Sequence, residues 1–300
     1  MSKKTLLLLN GKSAVRPEVR EILKAIQKDL DLEVWVPWSR KQLSKILRRS
    51  LKNGTKRVIA AGGDGTLNKV ANALLNCTSD VEVSLGLVPL GTANDFARGY
   101  GDLGNELEQS IRRAVTGGAS PVDVGRINGT YFVNVASGGF GAMITATTPQ
   151  DVKRRLGGLA YTLAGLARIS EMQPAQASIS IDGEPPVSAS VTALVIANSR
   201  YAGGGFDVAP DASVSDGLLD LGVLSTESLQ AVSSGLAALL DSKDPASAIV
   251  NRSQVKSVVL ETKEPFHLNL DGEPMIDTKF EIEVLPRRLM FVTPEQNESR

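Results

Sequence analysis

The chain has 300 residues, 42% of them hydrophobic, which is ample for a buried core and suggests about two domains. Lys plus Arg and Asp plus Glu each total 33, so the formal net charge is zero and the overall basicity of a nucleic-acid binder is missing. A single cysteine, Cys77, excludes an intramolecular disulfide, and with His267 as the single histidine it excludes a Cys/His zinc site.

Met1-Ser2-Lys3-Lys4 leads into a short apolar run over residues 5–9 that stops at Asn10-Gly11-Lys12. It is too short for a signal peptide or a membrane span, and no later stretch reaches the ~18 uninterrupted apolar residues a spanning helix needs. A soluble, cytoplasmic chain without a transmembrane anchor is expected. The run over 5–9 reads as a strand buried on both faces. Pro17 can open a helix in which Val19, Ile22, Leu23 and Ile26 recur at helical spacing. Residues 32–36 read as a second strand. Ser39 can cap a helix striped by Leu43, Ile46, Leu47 and Leu51, with Gly54 just past its end. A third strand over 57–61 runs into Gly62-Gly63-Asp64-Gly65-Thr66 and a helix through Leu75, and a fourth covers 84–89. Alternating strand and helix argue for a parallel sheet.

The pattern changes near Pro121. Residues 122–127 and 131–136 read as strands joined by Asn128-Gly129, a tight hairpin signal. Further β runs cover 177–181, 187–197, 218–224, 254–261 and 279–285, interrupted by helical patterns near 159–169 and 227–240. The fold expected is therefore α/β, an N-terminal α/β domain over 1–120 followed by a mostly antiparallel β domain over 121–285.

Glycines after a buried strand let a phosphate approach the main chain, and the helix that follows offers unpaired N–H groups and the positive end of its dipole. Residues 57–66 have that layout, though a plain glycine-rich βα turn has it too. The dinucleotide pattern GxGxxG fails because Asn68 stands where a small residue is needed, and a Walker A loop fails because Leu6 occupies its first glycine position. A second loop, Pro89-Leu90-Gly91-Thr92-Ala93-Asn94-Asp95-Phe96-Ala97, also follows an apolar strand. In a parallel sheet both loops lie at the carboxyl edge, where ligands of open α/β sheets bind.

Gly62-Gly63-Asp64-Gly65-Thr66 with Asn68, together with the second loop, resembles the diacylglycerol-kinase catalytic domain. The whole chain is similar to bacterial lipid kinases of the YegS type. The likeness extends to Asn10-Gly11-Lys12, Ala202-Gly203-Gly204-Gly205, Ser215-Asp216-Gly217-Leu218-Leu219 and Asp271-Gly272-Glu273. It implies a nucleotide-binding α/β domain, a β-sandwich, and a C-terminal segment, 286–300, returning to the first domain. Gly63, Asp64, Gly65, Thr66, Asn68 and Thr92 match the family's nucleotide contacts, and Gly62, Lys69, Asn94 and Asp95 beside them complete the expected ATP-binding set. Glu273 matches the proton acceptor, and Asp216 a magnesium ligand beside main-chain oxygens of Ser213 and Leu218, with calcium a possible substitute for magnesium. The implied substrate is a lipid hydroxyl, of phosphatidylglycerol or diacylglycerol type, reached by transient visits to the membrane surface. A cleft between the domains would hold both substrates, its lipid side lined from residues 138–141 and 159–169.

The residues alone are consistent with this chemistry. Phosphoryl transfer needs positioning, charge neutralisation by a metal, and a group to take the hydroxyl proton. Asp216 precedes an apolar strand in a polar turn, and Glu273 sits in a turn; each has the plain alternative of a solvated turn residue. Two departures from the family stand out. Lys69 replaces the usual Glu and sets a cation in a helix's first turn, typically unfavourable by ~0.3–1 kcal/mol. Pro37 stands where related enzymes place a Thr nucleotide contact. These departures leave open a catalytically weak nucleotide- or lipid-binding protein, and the glycine loop alone leaves open an NAD-kinase-like enzyme for a soluble hydroxyl compound.

Arg40, Lys41, Lys45, Arg48, Arg49, Lys52, Lys56 and Arg57 form a basic stretch without acids, readable as a solvated helix face or as a surface for anionic headgroups at roughly 1 kcal/mol per charge. Lys153-Arg154-Arg155 is a weaker run of the same kind. His267 reads as structural, and Trp35 and Trp38 as packing residues.

Overall fold

The computed structural model describes residues 4–77, 82–101, 103, 106–139, 174–224 and 250–294. The expected helices at 159–169 and 227–240, residues 140–141 and the Lys153-Arg154-Arg155 run lie outside the described residues. The chain divides into two compact units, Met1–Val122 with Arg287–Arg300, and Asp123–Pro286.

Unit 1 is a parallel sheet covered by helices on both faces. Its elements are β1 (Thr5–Leu9), α1 (Gly11–Ala14), α2 (Pro17–Asp29), β2 (Leu32–Trp35), α3 (Arg40–Lys52), β3 (Arg57–Gly62), α4 (Asp64–Cys77), β4 (Ser84–Pro89), α5 (Asp95–Tyr100) and α6 (Leu107–Thr116). The strands run in the order β4-β3-β1-β2. From β1 the chain steps one way to β2 and then back past β1 to β3. Right-handed crossovers therefore put α2 and α3 on opposite faces. Accordingly α2 packs beside α6, and α3 beside α4. All of β1 is buried, with Leu7 and Leu9 meeting Val19, Leu23, Ile26 and Ile111 on the α2 and α6 face. Burial on both faces is what removes polar alternation from such a strand.

Unit 2 is mostly antiparallel β-sandwich. Its strands are β5 (Ala119–Ile127), which enters it from unit 1, β6 (Thr130–Phe132), β7 (Val135–Gly139), β8 (Ala175–Ile181), β9 (Val187–Val191), β10 (Ala193–Ala197), β11 (Tyr201–Ala202), β12 (Phe206–Asp207), β13 (Leu219–Leu224), β14 (Val250–Val255), β15 (Ser257–Leu270) and β16 (Glu273–Val292). Its core gathers Phe132, Ile196, Leu221, Leu260, Phe266 and Phe280. Asn128-Gly129 and Asp271-Gly272 both turn with two positive φ angles, 46° and 81°, then 50° and 94°, as two-residue hairpins require. The last residues of β16 pair in parallel with β4, Met290 opposite Ser84 and Phe291 opposite Leu85, and so complete the sheet of unit 1.

Four strand runs differ from the sequence expectation. The run over 131–136 splits into β6 and β7, because the N–H groups of Val133, Asn134 and Val135 all donate to the Asp271 carboxylate instead of to a neighbouring strand. The run over 187–197 splits at Thr192, whose N–H donates to the Leu224 carbonyl, so that β9 pairs with β8 while β10 pairs with β7 and β13. Finally, β15 and β16 extend to 14 and 20 residues, well past the runs seen in the sequence.

Candidate active site

In unit 1, loops follow the carboxyl ends of β1, β3 and β4. The loops after β3 and β4 meet backbone to backbone. A Cβ on Gly91 would stand 2.5 Å from the Gly63 Cα and 2.7 Å from Asn94 Oδ1. A Cβ on Gly62 would overlap the side chain of Thr66, 2.6 Å from its Cβ. The Leu90 N–H donates to the Gly62 carbonyl at 2.9 Å. Glycine at these places is therefore a demand of close approach as well as an opening for a ligand. Asn10 ties in the loop after β1. Its N–H donates to the Ala61 carbonyl at 3.0 Å, and its Nδ2 to Thr66 Oγ1 at 3.4 Å.

Asp64 opens α4, yet its carboxylate serves another helix. Oδ2 accepts the Asp95 N–H at 3.1 Å and Oδ1 the Phe96 N–H at 3.0 Å, which are the first amides of α5. An acid at a helix N-terminus satisfies orphan donors and meets the positive end of the dipole. Asn94, in the left-handed region at φ 51°, closes the same loop by accepting from the Gly91 N–H at 2.9 Å and donating to its carbonyl at 3.0 Å. Phe96 is buried and packs on Tyr100 and Phe291 with ring centroids 5.4 and 5.0 Å away. Much of the second loop thus holds its own shape. Of the expected ATP-binding residues, Gly62, Gly63, Asp64, Thr66, Asn94 and Asp95 belong to this interlocked pair of loops. Asn68 is buried on α4, while Gly65, Lys69 and Thr92 are exposed. Backbone amides at the start of α4, presented beside exposed Gly65, are what an anionic phosphate recognises.

In unit 2, Glu273 begins β16 directly after the Asp271-Gly272 turn and is partly buried. Asp271 fixes that turn. Its carboxylate accepts three N–H groups, from Val133, Asn134 and Val135, at 2.8, 3.1 and 2.9 Å. Asn198 takes the frame further, donating from Nδ2 to the carbonyls of Val133 and Asp123 at 2.8 and 3.1 Å. Buried Asp123 then braces the turn of Asp216, its N–H donating to the Val214 carbonyl and its Oδ2 accepting the Gly217 N–H, both at 2.7 Å. One line of hydrogen bonds therefore joins the turn of Glu273 to that of Asp216. Sequence reading missed Asp123, Asn198 and the bracing role of Asp271. An acid inside the apolar run Val122-Asp123-Val124 was the available signal for the first.

Asp216 is exposed, and its Oδ1 accepts the Leu218 N–H at 3.0 Å. Half-buried Asp220 has its carboxyl pushed up, first by burial and then by the negative charge of Asp216. Excess negative charge and oxygen-only donors suit a hard divalent cation. Among the described residues no group of three or more His, Cys, Asp or Glu side chains is arranged to hold a metal. A cation at this turn would therefore depend on main-chain oxygens, such as those of Ser213 and Leu218, beside Asp216.

A parallel α/β unit with interlocked glycine loops, joined to an antiparallel sandwich, defines a phosphotransferase fold of the diacylglycerol-kinase and NAD-kinase kind. Residues 4–127 match the diacylglycerol kinase catalytic domain, and residues 134–293 the YegS C-terminal NAD kinase beta sandwich-like domain. A "Probable lipid kinase YegS-like" of Chromohalobacter salexigens is 39% identical over 97% of this chain and 93% of its own. A "Probable lipid kinase YegS" of Escherichia fergusonii is 36% identical over 97% and 96%. The chain belongs to the YegS family of diacylglycerol-kinase-like proteins. A putative diacylglycerol kinase from Bacillus anthracis shares the fold at TM-score 0.80 and 22% identity, covering 97% of this chain and 95% of its own. An NAD kinase from Archaeoglobus fulgidus, solved with ATP, shares it more loosely, at TM-score 0.55 and 11% identity over 97% and 94% of the two chains.

Proposed function

We propose that the protein is an ATP- and magnesium-dependent lipid kinase that phosphorylates a hydroxyl of a phosphatidylglycerol- or diacylglycerol-like acceptor. The observation that carries this reading is the interlocked pair of glycine loops at the carboxyl edge of the sheet, in a chain of the YegS family. Main-chain amides around Gly63 and Gly65, at the start of α4, hold the phosphates of ATP, while the Thr66 N–H already donates to the Gly63 carbonyl and Thr66 offers its hydroxyl. Thr92 and Asn68 contribute polar contacts, and exposed Lys69 supplies a cation in place of the acid usual there. The acceptor oxygen attacks the γ-phosphorus, the bond from that phosphorus to the β,γ-bridging oxygen breaks, and ADP leaves. Glu273 takes the proton of the attacking hydroxyl, as general bases in phosphoryl transfer do. Asp216, with the main-chain oxygens of Ser213 and Leu218, would hold magnesium, or calcium in its place, and the bound cation would supply charge neutralisation for the phosphates. A lipid acceptor requires transient visits to the membrane surface, and no described helix is long and apolar enough to cross it.

The test is transfer of labelled phosphate from ATP to lipids in mixed micelles, for the wild type and for Glu273→Gln. We expect a labelled lipid with the wild type, a ~10²–10⁴-fold slower rate in the variant, and unchanged ATP affinity. Transfer that survives the substitution removes Glu273 as the base. Transfer to a soluble hydroxyl compound and to no lipid would replace the lipid-kinase reading with the NAD-kinase-like one. ATP binding without transfer to either acceptor would favour a binding protein.

A further inference from the structure

Helix α3 separates its charges from its core with little overlap. Leu43, Ile46, Leu47 and Ser50 are buried on one side. At 100° per residue, Lys41, Lys45, Arg48 and Lys52 fall within about 60° of one another on the opposite side, a stripe of roughly 16 Å. All four are exposed, and no ion pair engages any of them among the described residues. Arg49 is exposed beside the stripe. From Val34 to Gly63 the sequence carries eight Lys and Arg residues and not one Asp or Glu, although the whole chain is neutral. Six of the eight lie on α3, while Lys56 pairs with Glu82 and half-buried Arg57 donates to the carbonyls of Ala114 and Val115, so the excess belongs to the helix.

The helix dipole favours Arg49 and Lys52 in the last turn but not the cations at the other end. Arg40 and Lys41 stand in the first turn of α3, where cations oppose the dipole. At that same end Trp38 is 84% exposed, the most exposed large hydrophobic residue among those described. Its backbone is nevertheless held. The Trp38 N–H donates to Gln42 Oε1 at 2.7 Å, and Ser39 Oγ accepts the Gln42 N–H at 3.2 Å, so the helix cap fixes the segment while the indole faces solvent. An indole at the end of a cationic, amphipathic helix has the chemistry of a membrane-interface anchor: the ring lies at headgroup depth, and the lysines and arginines meet lipid phosphates.

We propose that the Lys41, Lys45, Arg48 and Lys52 face of α3, with Trp38 at its N-terminal end, is a docking surface for anionic lipid bilayers. This deepens the proposed peripheral visit to the membrane by naming the surface that makes it, and it rests on that reading only so far, because recognition of a bilayer needs no transfer chemistry. Acidic protein or nucleic acid would meet the cations but give the exposed indole no apolar layer to enter.

The test is co-sedimentation with vesicles of equal parts phosphatidylserine and phosphatidylcholine, and with phosphatidylcholine alone. Phosphatidylserine is anionic, yet its headgroup has no free hydroxyl to accept phosphate. We expect binding to the first vesicles and not the second. Partitioning should weaken ~5-fold for each stripe residue changed to Gln, up to the quadruple variant. It should also collapse near 1 M salt, where the Debye length is ~3 Å. In Trp35→Phe protein the remaining Trp38 emission should shift to the blue on anionic vesicles. Binding by the quadruple variant equal to that of the wild type overturns the proposal, as does equal binding to both vesicle types. Binding to heparin but to neither vesicle overturns it in favour of a macromolecular polyanion. A melting temperature matching the wild type verifies that the quadruple variant is folded. Its turnover in neutral detergent micelles separates the two readings: equal turnover keeps the lipid-kinase reading whatever the vesicles show, and absent turnover in both proteins defeats that reading and leaves the docking surface standing on sedimentation.

Discussion

Asp64 shows how a residue can look catalytic and act first as structure. Its two oxygens hold the first two amides of α5, so both glycine loops lose their mutual register if it goes. Asp64→Asn keeps one acceptor and exchanges the other for a donor facing an N–H. We expect it to lower stability by ~1–3 kcal/mol in urea unfolding. A residue serving only bound phosphate would leave that midpoint unmoved without nucleotide. The sequence made Asp64 legible as part of a phosphate loop, because glycine spacing after a buried strand is a local signal. It did not reveal what the carboxylate touches, since Asp95 and Phe96 lie 31 and 32 residues on. The same limit hid Asp123 and the reach of Asp271, whose partners Gly217 and Val133 are 94 and 138 residues away. Asp271-Gly272 was legible as a hairpin turn, but the three amides gathered by the carboxylate were not.

Helix α5 is the element on which the second loop depends. It is pinned at its start by Asp64 and along its side by Phe96 and Tyr100, which meet Phe291 tilted and edge-on respectively. Burial pushes the Tyr100 phenol up to about 12. Because the ordinary value is about 10, the folded state holds this proton more tightly than the unfolded state. The contribution is complete below about pH 10 and is lost as pH rises toward about 12. Urea midpoints at about pH 9 and about pH 11 should therefore fall more for the wild type than for Tyr100→Phe, and equal falls would refute the assignment. At this scale the parallel half was well legible: strands covered on both faces show as unbroken apolar runs, and Ser39 and Pro17 sit where the helices begin. The long strands β15 and β16 were not, because their middle residues, Glu261 to Glu264 and Ile276 to Lys279, are mostly exposed and largely polar. The register of the pair also shifts between Glu261 and Phe266, so no alternating apolar face runs through the stretch to mark it as a strand.

Across the whole molecule, unit 1 is built from two stretches of chain, with all of unit 2 inserted between them. Leu289, Phe291 and Val292 are buried in the first unit although they are synthesised last. Both tryptophans, Trp35 and Trp38, belong to unit 1, so tryptophan fluorescence reports on it alone. We expect Phe291→Ala to lower the fluorescence-detected transition by ~3–5 kcal/mol. Phe280→Ala, in the core of unit 2, should act instead on the far-ultraviolet circular dichroism. A fluorescence transition unmoved by Phe291→Ala would mean that the returning strand is dispensable. The pairing of Met290 and Phe291 with β4 also bears on biosynthesis. While the ribosome makes residues 123–286, roughly ten to thirty seconds at ordinary elongation rates, β4 waits as a bare sheet margin. Its row of unpaired N–H and C=O groups is open during that interval to any extended peptide, including a nascent chain of a neighbouring ribosome on the same message. The protein should accordingly depend on chaperone holding, and its yield should fall as translation is slowed downstream of codon 122.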